Sequence, residues 1–403
     1  MTAPIMLKFK QFSIRNFKSI DQISLDFNNL TCIVGMNGAG KSTILQALDF
    51  TSQLMVGRID EWLEQRGWNI SQLTNQNLKS KAKNSFIRIQ MVLEWSFQEN
   101  PKDVRELVWD AEFDVRRLKC RDESLTVNGE VIFASTGLDF SVSGTPNPTE
   151  ILWDYTGSML SSMTESWFDQ HRFLKKIREA LLGISSLELL SPAILKKSSR
   201  SPVGRIGISG ENLASFIHGL TKSQQEDLVH NLRIFYPNLS RINTKKKVGG
   251  WIILGFEEQF KNQKTISDSV HINDGLLRIL AVLAQQKHGS PTLLLLDEIE
   301  NGINQEIMGK LVEFLSSSGI QALITTHSPL LLNYLSDEQA VESVYFTYRT
   351  DTGSLNLKKF FEVIDHPEIL DFAGPGEVYA NTDLKHLADK CRLLDMENSE
   401  PKK

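Results

Sequence analysis

Apolar and polar positions partly alternate over residues 7–30, with Leu7, Phe9, Phe12 and Ile14 in one run and Ile23, Leu25 and Phe27 in a second. A period of two predicts a pair of strands joined through 16–21. Residues 30–34 form a short, mostly apolar run, the pattern of a strand buried on both faces. A glycine-rich turn at 35–40 comes next, followed by a helical pattern at 41–50. Helical spacing returns around 58–66, the stretch 71–85 is polar, and 86–95 reads as another strand. The texture then changes: Pro101, Pro146 and Pro148 punctuate the next hundred residues, and Asn128-Gly129 between LTV and EVIF predicts a tight hairpin. Residues 160–182 read as helical, and KKSSRS at 196–201 as a solvent-facing loop. Regular pattern resumes at 210–220 and in a strand near 251–256. From 268 to 335 helix and strand alternate, as in a parallel sheet with helical crossovers. The polar tail at 394–403 is expected to fray.

Composition narrows this picture by exclusion. Of 403 residues, 41% are hydrophobic and 23% charged, which is ordinary for a globular chain and rules out collagenous, mucin-like and wholly disordered classes. The net charge of −5 is not that of a protein coated in nucleic acid, although it leaves room for a local basic groove. Cys32, Cys120 and Cys391 are too few and too scattered for a disulfide framework or a zinc site. No apolar run approaches the roughly 18 residues of a membrane span, and the N-terminus has no apolar signal core, so the cytoplasm is the expected location.

Chemistry enters with Gly35-Met36-Asn37-Gly38-Ala39-Gly40-Lys41-Ser42, which fits G-x-x-x-x-G-K-[ST], the Walker A phosphate loop, between a buried strand and a helix. Its glycines let successive backbone N–H groups turn inward, and the helix that follows points its positive end at the same charge. Gly35, Asn37, Gly38, Ala39, Gly40, Lys41, Ser42 and Thr43 are therefore candidate nucleotide contacts. Lys41 would neutralise the outer phosphates, and the Ser42 hydroxyl would ligate Mg²⁺. The run LLLL at 293–296 ends in Asp297-Glu298, where Asp297 is a candidate Mg²⁺ holder and Glu298 a candidate base for the attacking water. A third apolar strand ends in Thr325-Thr326-His327-Ser328-Pro329, which puts His327 within reach of a γ-phosphate. Upstream, Asn273-Asp274-Gly275 opens a helix that runs into the acidic strand, and its bare N–H groups can bind a phosphate held elsewhere.

The order of these motifs resembles the ABC-type ATPases. IRNFKSI near the N-terminus, GENLASFIHGL at 210–220 and the block from VHINDGLLRIL to TTHSPLLLN are similar to the RecF, SMC and OLD-like branch, several of whose stand-alone AAA-type members belong to anti-phage systems. The resemblance implies an α/β fold: an ABC-type P-loop ATPase head with a mixed sheet core and an inserted α+β or helical lid. Residues 1–96 would be the first part of the head, 97–204 the insertion, 205–345 the second part with signature, Walker B and switch histidine, and 346–403 a C-terminal extension. It also implies ATP and Mg²⁺, with Lys41, Glu298 and His327 as catalytic residues. The signature Asn273, Asp274 and Gly275 of one subunit would complete the site of another, in a homodimer or higher oligomer.

This chain departs from the branch in three places. Asn273 stands where Ser is usual, residues 299–305 read IENGINQ and lack the usual His-Pro, and Gln53, Gln76 and Gln90 compete for the Q-loop position. The 76 residues after His327 are too few for a Toprim domain, so intrinsic nuclease activity is not expected. The expected function is an ATP-driven sensor or regulator of a separately encoded effector in anti-phage defence, acting away from membranes. Its alternatives are a RecF-like repair ATPase that loads on DNA and a nucleotide-dependent scaffold with little turnover. Nucleic acid is a further candidate partner, through Lys79, Lys81 and Lys83, Arg116, Arg117 and Lys119, or Lys245, Lys246 and Lys247.

Overall fold

The structure is a computed structural model that describes all residues except 1–4, 77–84, 98–99, 144–147, 189, 201–204, 290, 367–368, 371 and 400–403. Lys79, Lys81, Lys83 and Ser201 therefore lie outside the described residues. A sheet of 14 strands organises the chain. Five neighbouring strands run parallel, in the order Ile184–Leu187, Leu293–Leu296, Gln321–Thr325, Leu30–Gly35 and Val344–Arg349. Every residue of these strands except Arg349 is buried, which is why Leu30–Gly35 and Leu293–Leu296 read as apolar runs rather than as alternations. Within Leu293–Leu296 the side chains part by turns. Leu294 and Leu296 enter one core with helix Asp274–His288, while Leu293 and Leu295 enter the other with helix Lys41–Val56. The sheet is thus sandwiched between the phosphate-loop helix and the signature helix.

Beyond Val344–Arg349 the sheet turns largely antiparallel. Leu355–Lys359 leads to Ile20–Asp26, Ile5–Phe17 and Phe86–Phe97, and the wing continues through Asn100–Asp114, Lys119–Val127, Glu130–Ser135 and two short strands. Asn128 (φ 50°) and Gly129 (φ 84°) form the tight turn that their sequence predicts. The block expected as an insertion extends this wing and then sends helix Arg172–Leu182 and strand Ile184–Leu187 back to the core, so the core resumes at 184 rather than at 205. A separate sheet of Leu239–Lys246, Ile252–Phe260 and Gln263–Asp268 leads into the signature helix.

Two local expectations are corrected. Within the KKSSRS stretch Ser199 is buried, bridges to Ile252, and accepts from the Ser215 N–H at 2.8 Å. A loop this polar is held because its backbone closes against the second sheet. The tail does not fray at 394, since helix Leu384–Ser399 runs on and Asp395 accepts from Tyr348 Oη at 2.7 Å and Asn356 Nδ2 at 3.0 Å. Among the described residues no helix is long and apolar enough to cross a membrane.

Candidate active site

Parallel packing sets the carboxyl ends of the core strands side by side, the usual place for ligands in such sheets. Leu30–Gly35 ends in the phosphate loop, where Gly35 (φ 148°), Gly38 (φ 75°) and Gly40 (φ 106°) take backbone conformations that suit glycine. A Cβ on Gly35 would sit 2.5 Å from Thr347 Oγ1, and one on Gly40 would sit 2.2 Å from Leu355 Cδ1. Asn37 and Gly38 are exposed, Ala39 is buried, and the Thr43 N–H donates to Gly40 O at 2.9 Å. Lys41 curls back over the loop. Its Nζ donates to Gly35 O at 3.0 Å and Met36 O at 3.3 Å, and lies 3.4 Å from His327 Nδ1. Burial lowers the Lys41 pKa, partly offset by the carboxylates of Glu298, Asp297 and Glu300.

The acidic strand meets the loop directly. Ser42 Oγ donates to Asp297 Oδ2 at 2.7 Å across 255 positions of sequence. Thr325, on the neighbouring strand, donates its hydroxyl to Asp297 Oδ1 and accepts from the Glu298 N–H at 2.8 Å. One hydroxyl thus fixes both carboxylate residues. Glu298 adopts φ 44°, a left-handed conformation that costs a non-glycine residue about 1 kcal/mol or more. Its Oε2 accepts from Asn301 Nδ2 at 2.5 Å, and its Oε1 lies 3.7 Å from His327 Nε2. An ammonium only donates, so the contact with Lys41 makes His327 Nδ1 the acceptor and leaves the proton of a neutral ring on Nε2, facing Glu298. The His327 N–H in turn donates to Glu300 Oε1 at 2.6 Å.

The structure therefore gathers Lys41, Ser42, Asp297, Glu298 and His327 into one cluster linked by contacts of 3.7 Å or less, and adds Thr325 and Glu300, to which the sequence assigned no role. Both lie within three residues of a motif member, and that proximity was the available signal. Arg349 was also missed; its Nε and Nη2 donate to Gly38 O at 3.3 and 3.1 Å. Asn273, Asp274 and Gly275 make other contacts. Asn273 Oδ1 caps its own helix by accepting from Gly275 N at 2.7 Å and Leu276 N at 3.3 Å, Asp274 pairs with Lys196 at 2.7 Å, and a Cβ on Gly275 would meet Gly302 O at 2.7 Å. Of the glutamines competing for the Q-loop, Gln90 bonds Asp110 in the antiparallel wing, Gln53 lies on helix Lys41–Val56, and Gln76 bonds Ser71 O and Thr74 O. The strand beside Leu293–Leu296 instead leads into Glu188, which with Asp49 holds the buried Arg66.

Two family models match the chain: an AAA ATPase domain over residues 7–140, and the AAA domain that carries the AbiEii, Type IV TA system description over residues 133–333. Together they span residues 7–333: the chain is an AAA-type ATPase, and its motif order resembles the RecF, SMC and OLD branch of ABC-type ATPases. Among curated proteins this ATPase is 43% identical over 63 residues to an OLD nuclease of Thermus scotoductus, covering 16% of this chain and 11% of that protein. It is 28% identical over 102 residues to endonuclease GajA of Bacillus cereus (25% and 16%), and 31% identical over 77 residues to the DNA replication and repair protein RecF of Lactococcus lactis (19% and 21%). The matched segments thus span about a fifth or less of these relatives. The crystal structure of an SMC head bound to the C-winged helix domain of ScpA shares the fold, with a TM-score of 0.53 at 15% identity over 87% of this chain and 97% of that one.

Proposed function

We propose that this ATPase closes head to tail around ATP and uses hydrolysis to control a separately encoded effector, in anti-phage defence. The observation that carries the hydrolytic part is the clustering of Lys41, Ser42, Asp297, Glu298 and His327 at the ends of three adjacent strands. Lys41 holds the outer phosphates together with the N–H groups of 35–43. Glu298, which pairs with no lysine or arginine among the described residues and has its proton-accepting Oε1 turned towards His327, orients and deprotonates the attacking water. His327 turns Nε2 towards Glu298 Oε1, 3.7 Å away, and so positions the base beside the γ-phosphate. Ser42 Oγ and Asp297 Oδ2 are two hard oxygen donors within 2.7 Å of each other, a donor set that suits Mg²⁺, which takes few protein ligands and fills its octahedron with phosphate and water. When bound there, Mg²⁺ neutralises charge on the phosphates.

The signature residues support the paired arrangement. The Gly275 and Leu276 N–H groups are not bare, since Asn273 Oδ1 caps them, but Asp274 pairs with Lys196 and Gly275 abuts Gly302 rather than the phosphate loop of the same chain, which is consistent with this face serving a second copy. Glu298→Gln tests both parts: it should retain ATP affinity, lose turnover about 100-fold or more, and accumulate an ATP-bound dimer in light scattering. Full turnover by a strictly monomeric protein would refute the pairing. The effector reading draws support from the Type IV TA system description of the second family model. A second reading, DNA loading, is favoured by the RecF match and by the exposed Lys245, Lys246 and Lys247 at the tip of the second sheet. DNA-stimulated turnover that falls steeply with salt would select it.

A further inference from the structure

We propose that Arg349 is a positioning residue for nucleotide binding, and that helix Leu384–Ser399 is the backing that keeps it in place. The proposal rests on the nucleotide-binding role of the 35–43 loop. Peptide planes carry their C=O and N–H on opposite sides. By taking Gly38 O through both Nε and Nη2, the Arg349 guanidinium holds the Gly38–Ala39 peptide plane from its carbonyl side, while the Ala39 N–H donates to Met36 O at 3.2 Å and closes the turn of the loop. Holding that turn sets the path of the loop backbone whose N–H groups a phosphate would meet. Exposed Gly38 has no side chain of its own to hold this orientation, and a Cβ there would meet nothing within 4 Å, so the guanidinium anchors the carbonyl side of the plane.

Arg349 is itself held from behind. Its Nη1 donates to Gly353 O at 3.2 Å, closing the turn between strands Val344–Arg349 and Leu355–Lys359. Its carbonyl accepts from Arg392 Nη1 at 3.0 Å, and Arg392 lies on Leu384–Ser399 and also pairs with Asp351 at 3.5 Å. One turn further along the same helix, Asp395 ties to both strands of the hairpin through Tyr348 Oη, Asn356 Nδ2 and Lys358 Nζ, the last at 2.8 Å. The hairpin also abuts the loop through Leu355, whose Cδ1 occupies the space a Cβ on Gly40 would need. A continuous path of side chains therefore runs from the C-terminal helix to the phosphate loop, and whatever pulls on that helix changes nucleotide affinity.

Titration with mant-ATP and steady-state hydrolysis on the full chain test this. Arg349→Ala should weaken mant-ATP binding about tenfold and raise KM in parallel, with kcat within about twofold of wild type. Arg349→Lys, which keeps the charge but loses the fork, should fall between the two. Arg392→Ala, which touches no loop atom, should shift affinity in the same direction by about threefold. Tm should stay within ~4 °C in all three, which excludes a general loss of fold. Arg349→Ala with wild-type affinity, while Lys41→Ala loses binding, would overturn the proposal and leave the nucleotide site standing; so would a fall in kcat alone. Failure of the wild-type chain to bind mant-ATP would instead remove the nucleotide reading and the proposal with it.

Discussion

At the scale of single residues, the glycines of the phosphate loop separate by what surrounds them. Gly38→Ala meets only the conformational cost of its positive φ, about 1 kcal/mol, because nothing lies within 4 Å of the new carbon. Gly40→Ala adds a clash with Leu355 at the same backbone cost, so thermal melting should show it losing clearly more stability than Gly38→Ala. Thr325→Val removes the hydroxyl that holds both Asp297 and Glu298 and leaves a part-buried carboxylate oxygen short of a partner. The expected outcome is a drop in kcat of about tenfold or more with nucleotide affinity kept, measured by initial rates against mant-ATP titration. Asn273 is a third case. Its side chain caps a helix, and Ser caps nearly as well, so Asn273→Ser should leave Tm unchanged, whereas Asn273→Ala should cost about 1 kcal/mol in urea titration. The residues of the motifs could be read from the chain because each carries its chemistry within a few positions. Thr325, Glu300 and Arg349 could not, because their partners sit 28, 27 and 311 positions away and meet them only through the parallel strand order.

At the scale of elements, local pattern revealed the strands whose apolar run is unbroken and hid those whose burial is polar. Leu293–Leu296 and Leu30–Gly35 announce themselves. Ile184–Leu187 does not, since Ser185 and Ser186 occupy its middle and only pairing with Leu293–Leu296 buries them. The residue after that strand, Glu188, shows what such an edge can hold. Burial pushes its carboxyl up to about 7, against the pull of Arg66, and its Oε2 has no hydrogen-bond partner among the described residues. With the folded-state pKa above the unfolded value, the folded chain holds a proton between about pH 4.5 and 7 that the unfolded chain has released. The stabilisation from this group is therefore complete below about pH 4.5 and is lost as pH rises through 7. Glu188→Gln mimics the protonated form at every pH. The Tm of that variant relative to wild type should accordingly rise between pH 5 and 8, while parallel Tm–pH curves would show that Glu188 is ionised throughout.

At the scale of the whole molecule, the sheet order decides which functions one chain can complete. Walker A, Walker B and the switch histidine stand at the ends of adjacent strands, so they meet within a single copy. The signature helix lies under the opposite core and presents its first turn at Lys196 and Gly302. If its true phosphate belongs to a second copy, the two defects of a Walker variant and a signature variant are complementary. Lys41→Ala disables the phosphate loop of its own chain. Asp274→Arg, at a half-exposed position of the helix start, adds bulk and reverses the charge on the face that a partner would meet. Each variant alone should be nearly inactive. Mixed in equal amounts and allowed to exchange, half the dimers are heterodimers, each holding one doubly damaged site and one intact site. Hydrolysis should then recover to about a quarter of the wild-type rate. A site completed within one chain predicts no recovery at any mixing ratio, so the mixture reads the geometry of the pair directly and does so without the effector being known.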